Sequence, residues 1–371
     1  MVYIDVNVDV IVNNQEGARQ LMNSRRVPIG KVAAAAGVSA QTVSRVINKR
    51  PGVALETRRR VLDVIDSLGY RPSRAAQALR GGGRTLGVVG FGLEYYGPSR
   101  TLVGIGMGVR NCDYEMFLEL VPDPEYFDVE QILDKMMSNH VNGVVWGIPH
   151  IGNNMEAVFA YLHTAPVPLV FTDIEPQAGV CAVMTDNYLG GQLATRHLIA
   201  QGHTVIGHIS GPLSYYSARQ RKAAWQETLA AHQLPSDDSL VCEGDWSAES
   251  GAIALTALLD RRPDITALLV SNDPMALGAL SAINHLGLRV PDNIAIVGYD
   301  DIPEAQFFQP ALSSVRQNIV EMGARAVEEL VTRIERLQVG EFMEPAITWN
   351  KPELIVRESS VKGGGVAARS N

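Results

Sequence analysis

The chain has 371 residues, 46% of them hydrophobic and 19% charged, the profile of a globular protein with a sizeable core and too long for one compact domain. No run approaches the roughly 18 consecutive apolar residues of a membrane span, no basic-then-apolar leader opens the sequence, and Cys112, Cys181 and Cys242 are too scattered for a disulfide framework or a zinc site. A cytoplasmic protein with buried thiols, no metal and no cofactor is expected, and the net charge of −8 argues by itself against nucleic acid.

Residues 1–24 alternate Val, Ile and Asp without a usable motif and are read as an N-terminal extension. The charge balance then reverses. Between Arg25 and Arg84 stand 13 Lys or Arg against three acids, Glu56, Asp63 and Asp66, so this stretch carries about +10 and the remainder about −18. A basic stretch is ordinarily only a solvated face, but this one has an internal pattern.

The stretch IGKVAAAA, 29–36, reads as a short helix with Ile29, Val32 and Ala33 on one face. Gly37 suits a tight turn, Val38 a corner plug, and Ser39 an N-cap for a second helix at 40–47. There Val43, Val46 and Ile47 recur toward a core, leaving Ala40, Gln41, Ser44 and Arg45 on a small, polar, cationic face suited to the major groove. A third helix, 55–68, is expected to carry Arg58, Arg59 and Arg60 outside and Val61, Leu62 and Ile65 inside. Ala54 precedes it where a capping hydroxyl is preferred.

GVSAQTVSRVIN followed by TRRRVLDVIDSLGYRPSRAAQALR resembles the lactose/galactose repressor (LacI/GalR) family, without a gap. The resemblance implies a small all-α helix-turn-helix headpiece, 25–72, whose second helix enters the major groove. Ala40, Gln41 and Arg45 match its base-reading positions, and Thr42, Ser44 and Asn48 its phosphate contacts. Residues 73–84 match the hinge helix and linker, and Leu79 the leucine that wedges into the minor groove and kinks the duplex. Bland readings stay open: Thr57 and Asn48 as caps or turn residues, Leu79 as a core leucine.

From residue 85 short apolar runs alternate with helical segments, as in buried parallel strands whose ligands bind beyond their carboxyl ends. Strands are expected at 86–89, 116–120, 143–146, 169–171, 205–209, 267–270 and 294–297. The family likeness continues here and tightens toward its lactose branch in GPLSYYSARQRKAAW, EGDWSAESG, SNDPMALGAL and AIVGYDD. It implies an α/β two-lobed periplasmic-binding-protein-like domain, 85–356, with parallel sheets and Rossmann-like lobes. Lobe 1 would comprise 85–185 and 315–344, and lobe 2 186–314 and 345–356, with crossings near Thr185, Ser314 and Glu344.

The likeness places the effector in the cleft between the lobes. Arg219 matches the arginine that grips hydroxyls, Trp246 the indole on the sugar ring, and Asn272 and Asp300 the pair opposite, with Tyr95, Asp173 and Gln317 completing the cleft. A flat aromatic beside several hydrogen-bonding side chains is what a sugar's apolar faces and hydroxyl rim require. Trp246 could instead be core, Asn272-Asp273-Pro274 a helix N-cap, and Asp300-Asp301 a turn. Departures from the family, Gly147 for an asparagine, Ile319 for an aromatic, and a first loop with Phe91, Tyr95 and Tyr96, leave the sugar open, with a galactoside favoured.

The tail, 357–371, lacks the leucine heptads of a tetramer seam, so a homodimer on a palindromic operator is expected. The reading is a sequence-specific repressor of a carbohydrate operon, binding double-stranded operator DNA and released by a sugar, with no membrane partner. A receptor without DNA function and a glycosidase using Asp173 with Asp300-Asp301 are the alternatives. The helix-turn-helix opposes the first, and the absence of a nucleophile elbow, phosphate loop or metal spacing opposes the second, so no enzyme is expected.

Overall fold

A computed structural model describes residues 27–47, 51–70, 83–151, 154–162 and 166–361, and the chain divides into two units, Met1–Gly83 and Arg84–Asn371. The N-terminal extension, Asn48, the hinge helix with Leu79 and most of the tail lie outside the described residues.

Among the described residues of the first unit are the helices α1 (Ile29–Ala36), α2 (Ala40–Ile47) and α3 (Leu55–Leu68). Gly37 ends α1 at φ 62°, a left-handed turn from which the N–H groups of Gly37 and Val38 bond back to Ala34 and Ala33. Ser39 Oγ accepts the Thr42 N–H at 3.1 Å and so caps α2. Val32, Val43 and Val61, all fully buried, meet where the helices cross, each burial contributing ~1.5–3 kcal/mol. Two expectations are corrected. Leu62 is 46% exposed, because Val61, Val64, Ile65 and Leu68 carry the inner stripe. Arg58, expected outside, is half-buried and donates to Val46 O near the end of α2, whereas Arg60 is exposed as expected and donates to Ala36 O at the end of α1.

The second unit alternates strands and helices. Its first half runs β1 (Thr85–Gly90), α4 (Tyr96–Asn111), β2 (Glu115–Leu120), α5 (Val129–Ser138), β3 (Gly143–Trp146), α6 (Glu156–Leu162), β4 (Leu169–Phe171) and β5 (Ala182–Thr185). The second half runs α7 (Asn187–Ala200), β6 (Ile206–Ser210), α8 (Tyr216–Ala231), β7 (Val241–Glu243), α9 (Ala248–Arg261), β8 (Ala267–Val270), α10 (Asp273–His285) and β9 (Ala295–Asp300). Then come β10 (Ser313–Arg316), α11 (Ile319–Gln338), β11 (Ile347–Asn350) and β12 (Glu353–Ile355).

Two six-stranded sheets result, in the orders β11-β5-β4-β3-β1-β2 and β12-β10-β9-β8-β6-β7, parallel apart from the antiparallel pair β10–β12. The uniformly apolar runs become the central strands: β3 and β8 are buried throughout. The chain passes from the first sheet to the second after Thr185, back after Arg316, and over again after Asn350. The expected lobe boundaries are corrected here. β11 lies on the first sheet, since Ile347–Asn350 pairs in parallel with Ala182–Thr185, and β10 stays with the second sheet as far as Arg316. The tail boundary moves as well. Arg357 pairs with Asp301 at 2.7 Å, and the buried Ser359 hydroxyl donates to Ile296 O and accepts the Ser313 N–H, so the second lobe continues past residue 356. The three cysteines are unpaired and half-buried rather than fully buried. Among the described residues no helix is long and apolar enough to cross a membrane, and no group of three or more His, Cys, Asp or Glu could hold a metal ion.

Glycines set the closest helix approaches. A Cβ at Gly278 would stand 1.7 Å from Ala248 O and one at Gly251 2.1 Å from Met275 O, so α9 and α10 cross backbone to backbone. Both helices begin at the cleft. Gly278→Ala should therefore lower stability by roughly 1–3 kcal/mol or more, read from urea unfolding, and an unchanged midpoint would refute the crossing. In the headpiece α3 starts after Ala54 without a side-chain cap. Ala54→Ser should stabilise the headpiece by about 1 kcal/mol in a thermal melt followed by helical circular dichroism.

Candidate functional site

The two sheets of the second unit bring the carboxyl ends of β1, β4, β6, β8 and β9 to one cleft, the position α/β folds use for ligands. Its volume is about 410 Å³, within the ~300–1,000 Å³ typical of small-molecule pockets. Of the residues expected there, Tyr95, Asp173, Trp246, Asn272, Asp300 and Gln317 all line it. Arg219 does not, and Arg221 stands in its place.

The two arginines differ by their place on α8. Arg221 shares the buried stripe of that helix with Ala218, Trp225 and Thr228 and is 5% exposed. Its Nε donates to Asn187 Oδ1 at 2.9 Å and its Nη1 to Ser271 O, while the guanidinium lies 3.7 Å from the Tyr299 ring centroid and 5.8 Å from that of Trp246. Arg219, two residues back and about 200° round the helix, donates instead to the carbonyls of Leu213 and Ser214 and pairs with Glu175 at 2.7 Å. Arg219 is thus corrected from a ligand-gripping residue to one that ties the second lobe to the loop after β4.

Trp246 is held from two directions. A Cβ on Gly211 would fall 2.0 Å from the indole, so the ring lies flat on bare backbone. Asn272 Nδ2 donates to Trp246 O at 2.9 Å and its Oδ1 accepts the Met275 N–H, capping α10. The N-cap reading of Asn272 is therefore realised, and its side chain positions the indole backbone while it lines the cleft. Trp246 sits at φ 76° and Asp300 at φ 107°, left-handed conformations that cost a non-glycine residue of order 1–3 kcal/mol and are tolerated where the surroundings impose them.

The carboxylates carry the electrostatics. Asp300 accepts a hydrogen bond from Gln317 Nε2, and burial raises its carboxyl to about 6 against the pull of Arg221. Burial likewise raises Asp173 to about 6, opposed by Arg221 and Arg219, and no described residue donates a hydrogen bond to it. Asp301 turns the other way, held by Arg316 at 2.6 Å and Arg357 at 2.7 Å, so it forms no catalytic pair with Asp300. Asp273 is buried under the cleft floor, accepting from Ile302 N–H and Ser314 Oγ.

Sequence reasoning missed Arg221 and Asn187. The signal for Arg221 was present in the helical period of Ala218, Arg221 and Trp225, whereas Asn187 has no local mark.

In the first unit α2 turns Gln41 and Arg45 fully outward, with Ala40, Thr42 and Ser44 half-buried beside them and Val43 and Val46 inward. The Thr42 hydroxyl lies 3.0 Å from Ser39 Oγ within the cap. This cationic, finely spaced face is the candidate nucleic-acid surface; Asn48 and Leu79 lie outside the described residues.

The model of bacterial regulatory proteins of the lacI family matches residues 29–73, and that of the periplasmic binding protein-like domain matches residues 195–360. The lactose operon repressor of Klebsiella pneumoniae is 32% identical over 342 residues, 91% of this chain and 94% of that protein. The crystal structure of the lac repressor dimer bound to operator and the anti-inducer ONPF aligns with a TM-score of 0.82 at 31% identity, covering 91% of this chain and 100% of that one. The complex of the transcriptional regulator CelR with cellobiose aligns with a TM-score of 0.67 at 33% identity, covering 90% and 100%. Headpiece, two-lobed clamp and relatives that are repressors rather than enzymes agree, and the chain belongs to the lacI family of bacterial regulatory proteins.

Proposed function

We propose that the protein is a homodimeric repressor of a carbohydrate-utilisation operon that acts in the cytoplasm and leaves a palindromic operator when a sugar, with a galactoside the first candidate, fills the cleft. The observation that carries this reading is the cleft itself, where an indole platform faces a buried guanidinium, two desolvated carboxylates and a carboxamide. Trp246 would stack on the apolar ring face, while Arg221 donates and Asp173, Asp300 and Gln317 accept or donate at the hydroxyl rim. Asn272 and Tyr95 complete the walls. On the DNA side Ala40, Gln41 and Arg45 would read bases, Thr42, Ser44 and Asn48 would hold phosphates, and Leu79 would enter the minor groove. Relatives whose names and complexes speak of lactose, operator and cellobiose support both halves.

Release requires only that the sugar bind the DNA-incompetent arrangement more tightly, and a coupling of ~1–3 kcal/mol suffices. The test titrates sugars against operator binding by the full chain. Arg221→Ala or Asp300→Ala should leave operator affinity intact and abolish the sugar response. Arg45→Ala should weaken operator binding by about 1–3 kcal/mol and leave sugar binding unchanged. Loss of both activities from either change, or operator binding that tightens with sugar, would overturn the inducer reading.

The carboxyls add a pH dependence. With the folded value of Asp173 and Asp300 at about 6, above the ordinary 3.8, the folded protein holds these protons more tightly, so their stabilisation is present below pH ~4 and lost as pH rises through 6. Ionised carboxylates take charge-assisted hydrogen bonds from sugar hydroxyls, so sugar affinity should rise severalfold from pH 5 to 7.5. Calorimetric titration at both pH values checks this; Asp300→Asn should reduce the slope to the part that Asp173 carries.

A further inference from the structure

The two aspartates at the end of β9 face opposite ways. Asp300 lines the cleft and Asp301 does not, and the reversal is made by consecutive left-handed residues, at φ 107° and 51°. Two such conformations in a row are costly for residues with a Cβ and persist only where the surroundings impose them. The imposing contacts lie behind the cleft. The Asp301 N–H donates to Ser314 Oγ at 3.0 Å and the Ile302 N–H to Asp273 Oδ2 at 2.8 Å, while the Asp301 carboxylate, 5% exposed, stands between two guanidiniums.

Those guanidiniums come from different parts of the chain. Arg316 ends β10 and puts both its Nε, at 2.7 Å, and its Nη2, at 2.6 Å, on Asp301 Oδ2. Its partner in the sheet register is Asp300, and the next residue, Gln317, donates to Asp300 Oδ1. Two rungs therefore join the ends of the same two strands, Gln317 to Asp300 inside the cleft and Arg316 to Asp301 behind it, where the chain returns from the second sheet to the first. Arg357, beyond β12, supplies the second cation. Its Nη1 lies 2.7 Å from Asp301 Oδ1 but directs its hydrogen bond to Leu312 O, so it holds the carboxylate by charge, and its own backbone N–H is anchored on Ser313 Oγ. Without that charge the buried carboxylate would be undercompensated and would turn toward water, carrying with it the peptide it shares with Asp300.

We propose that Arg357, together with Arg316, is a positioning residue for the effector site: it grips Asp301 behind the cleft and so fixes the direction in which Asp300 presents its carboxylate to the ligand. Neither arginine lines the cleft. The ligand's part in this rests on the sugar-cleft reading above; the grip on Asp301 does not.

Hydrogen exchange of the ligand-free full chain reads the grip without any sugar. Arg357→Ala should speed exchange of the Asp301 and Ile302 amides by about tenfold and leave those of β3 unchanged. Arg357→Lys, which keeps the charge, should restore most of the protection. Calorimetric titration with methyl galactoside, methyl glucoside, methyl mannoside and lactose tests the consequence: whichever binds the native chain should bind Arg357→Ala about tenfold more weakly and Arg357→Lys within about twofold of the native chain. Arg316→Ala is the second variant should Arg357→Ala fail to fold. Asp301 and Ile302 amides as slow in the alanine variant as in the native chain, sugar binding untouched by it, or no rescue by lysine overturns the proposal and leaves the sugar cleft standing. A panel in which no sugar binds takes down the sugar reading, and the exchange rates then decide the grip by themselves.

Discussion

A guanidinium almost out of reach of water organises the cleft. Arg221 is 5% exposed, and a charge so desolvated is tolerable only if its N–H groups are met and opposite charge lies near. Asn187 is the first residue of α7, Ser271 follows β8 and the Tyr299 ring comes from β9, so three elements of the second lobe converge on one side chain. Burial raises the carboxyls of Asp300 and Asp173 while Arg221 pulls both down, helped at Asp173 by Arg219. The same arginine stands near the Trp246 indole, so stacking platform and charge centre are fixed by one set of contacts.

The headpiece was almost wholly legible in the sequence. Its three helices begin and end where the spacing placed them, because Gly37 punctuates the turn, Ser39 caps α2 and the valines recur at helical period. The central strands were legible for a different reason: buried on both faces, they are uninterrupted apolar runs. β5 went unread although Ala-Val-Met-Thr is a fully buried and mostly apolar run, while the other strands that escaped notice are shorter or more polar. In β10, Ser-Ser-Val-Arg buries two serines through hydrogen bonds to Asp273, Ser359 and Ser360, and β12 is three residues long at a sheet edge. Residues 347–350 were assigned to the wrong lobe and not read as a strand, because only the pairing of β11 with β5 places them.

For the site, residue types in the motifs were legible and their facing was not. Two arginines two positions apart on one helix look equivalent in a string of letters and point to opposite sides in space. Trp246, Asp173 and Gln317 were reached through the family resemblance, since the strands that precede Trp246 and Gln317 have no apolar run to announce them. Asn272 shows that the choice between cap and site was a false one, because its amide does both. Asn187 had to come from far along the chain, and only the fold brings it there.

Tyr215 has a kinetic consequence. Although it starts a helix of the second lobe, its ring packs with the apolar cluster of the first, beside Phe91, and the Arg219–Glu175 bridge sits on the same side. Parting the lobes would return this aromatic surface to water, a cost that favours the closed clamp. If a ligand can enter only when this contact parts, its association should be slower than encounter in solution and carry a heat-capacity change from the exposed aromatic surface.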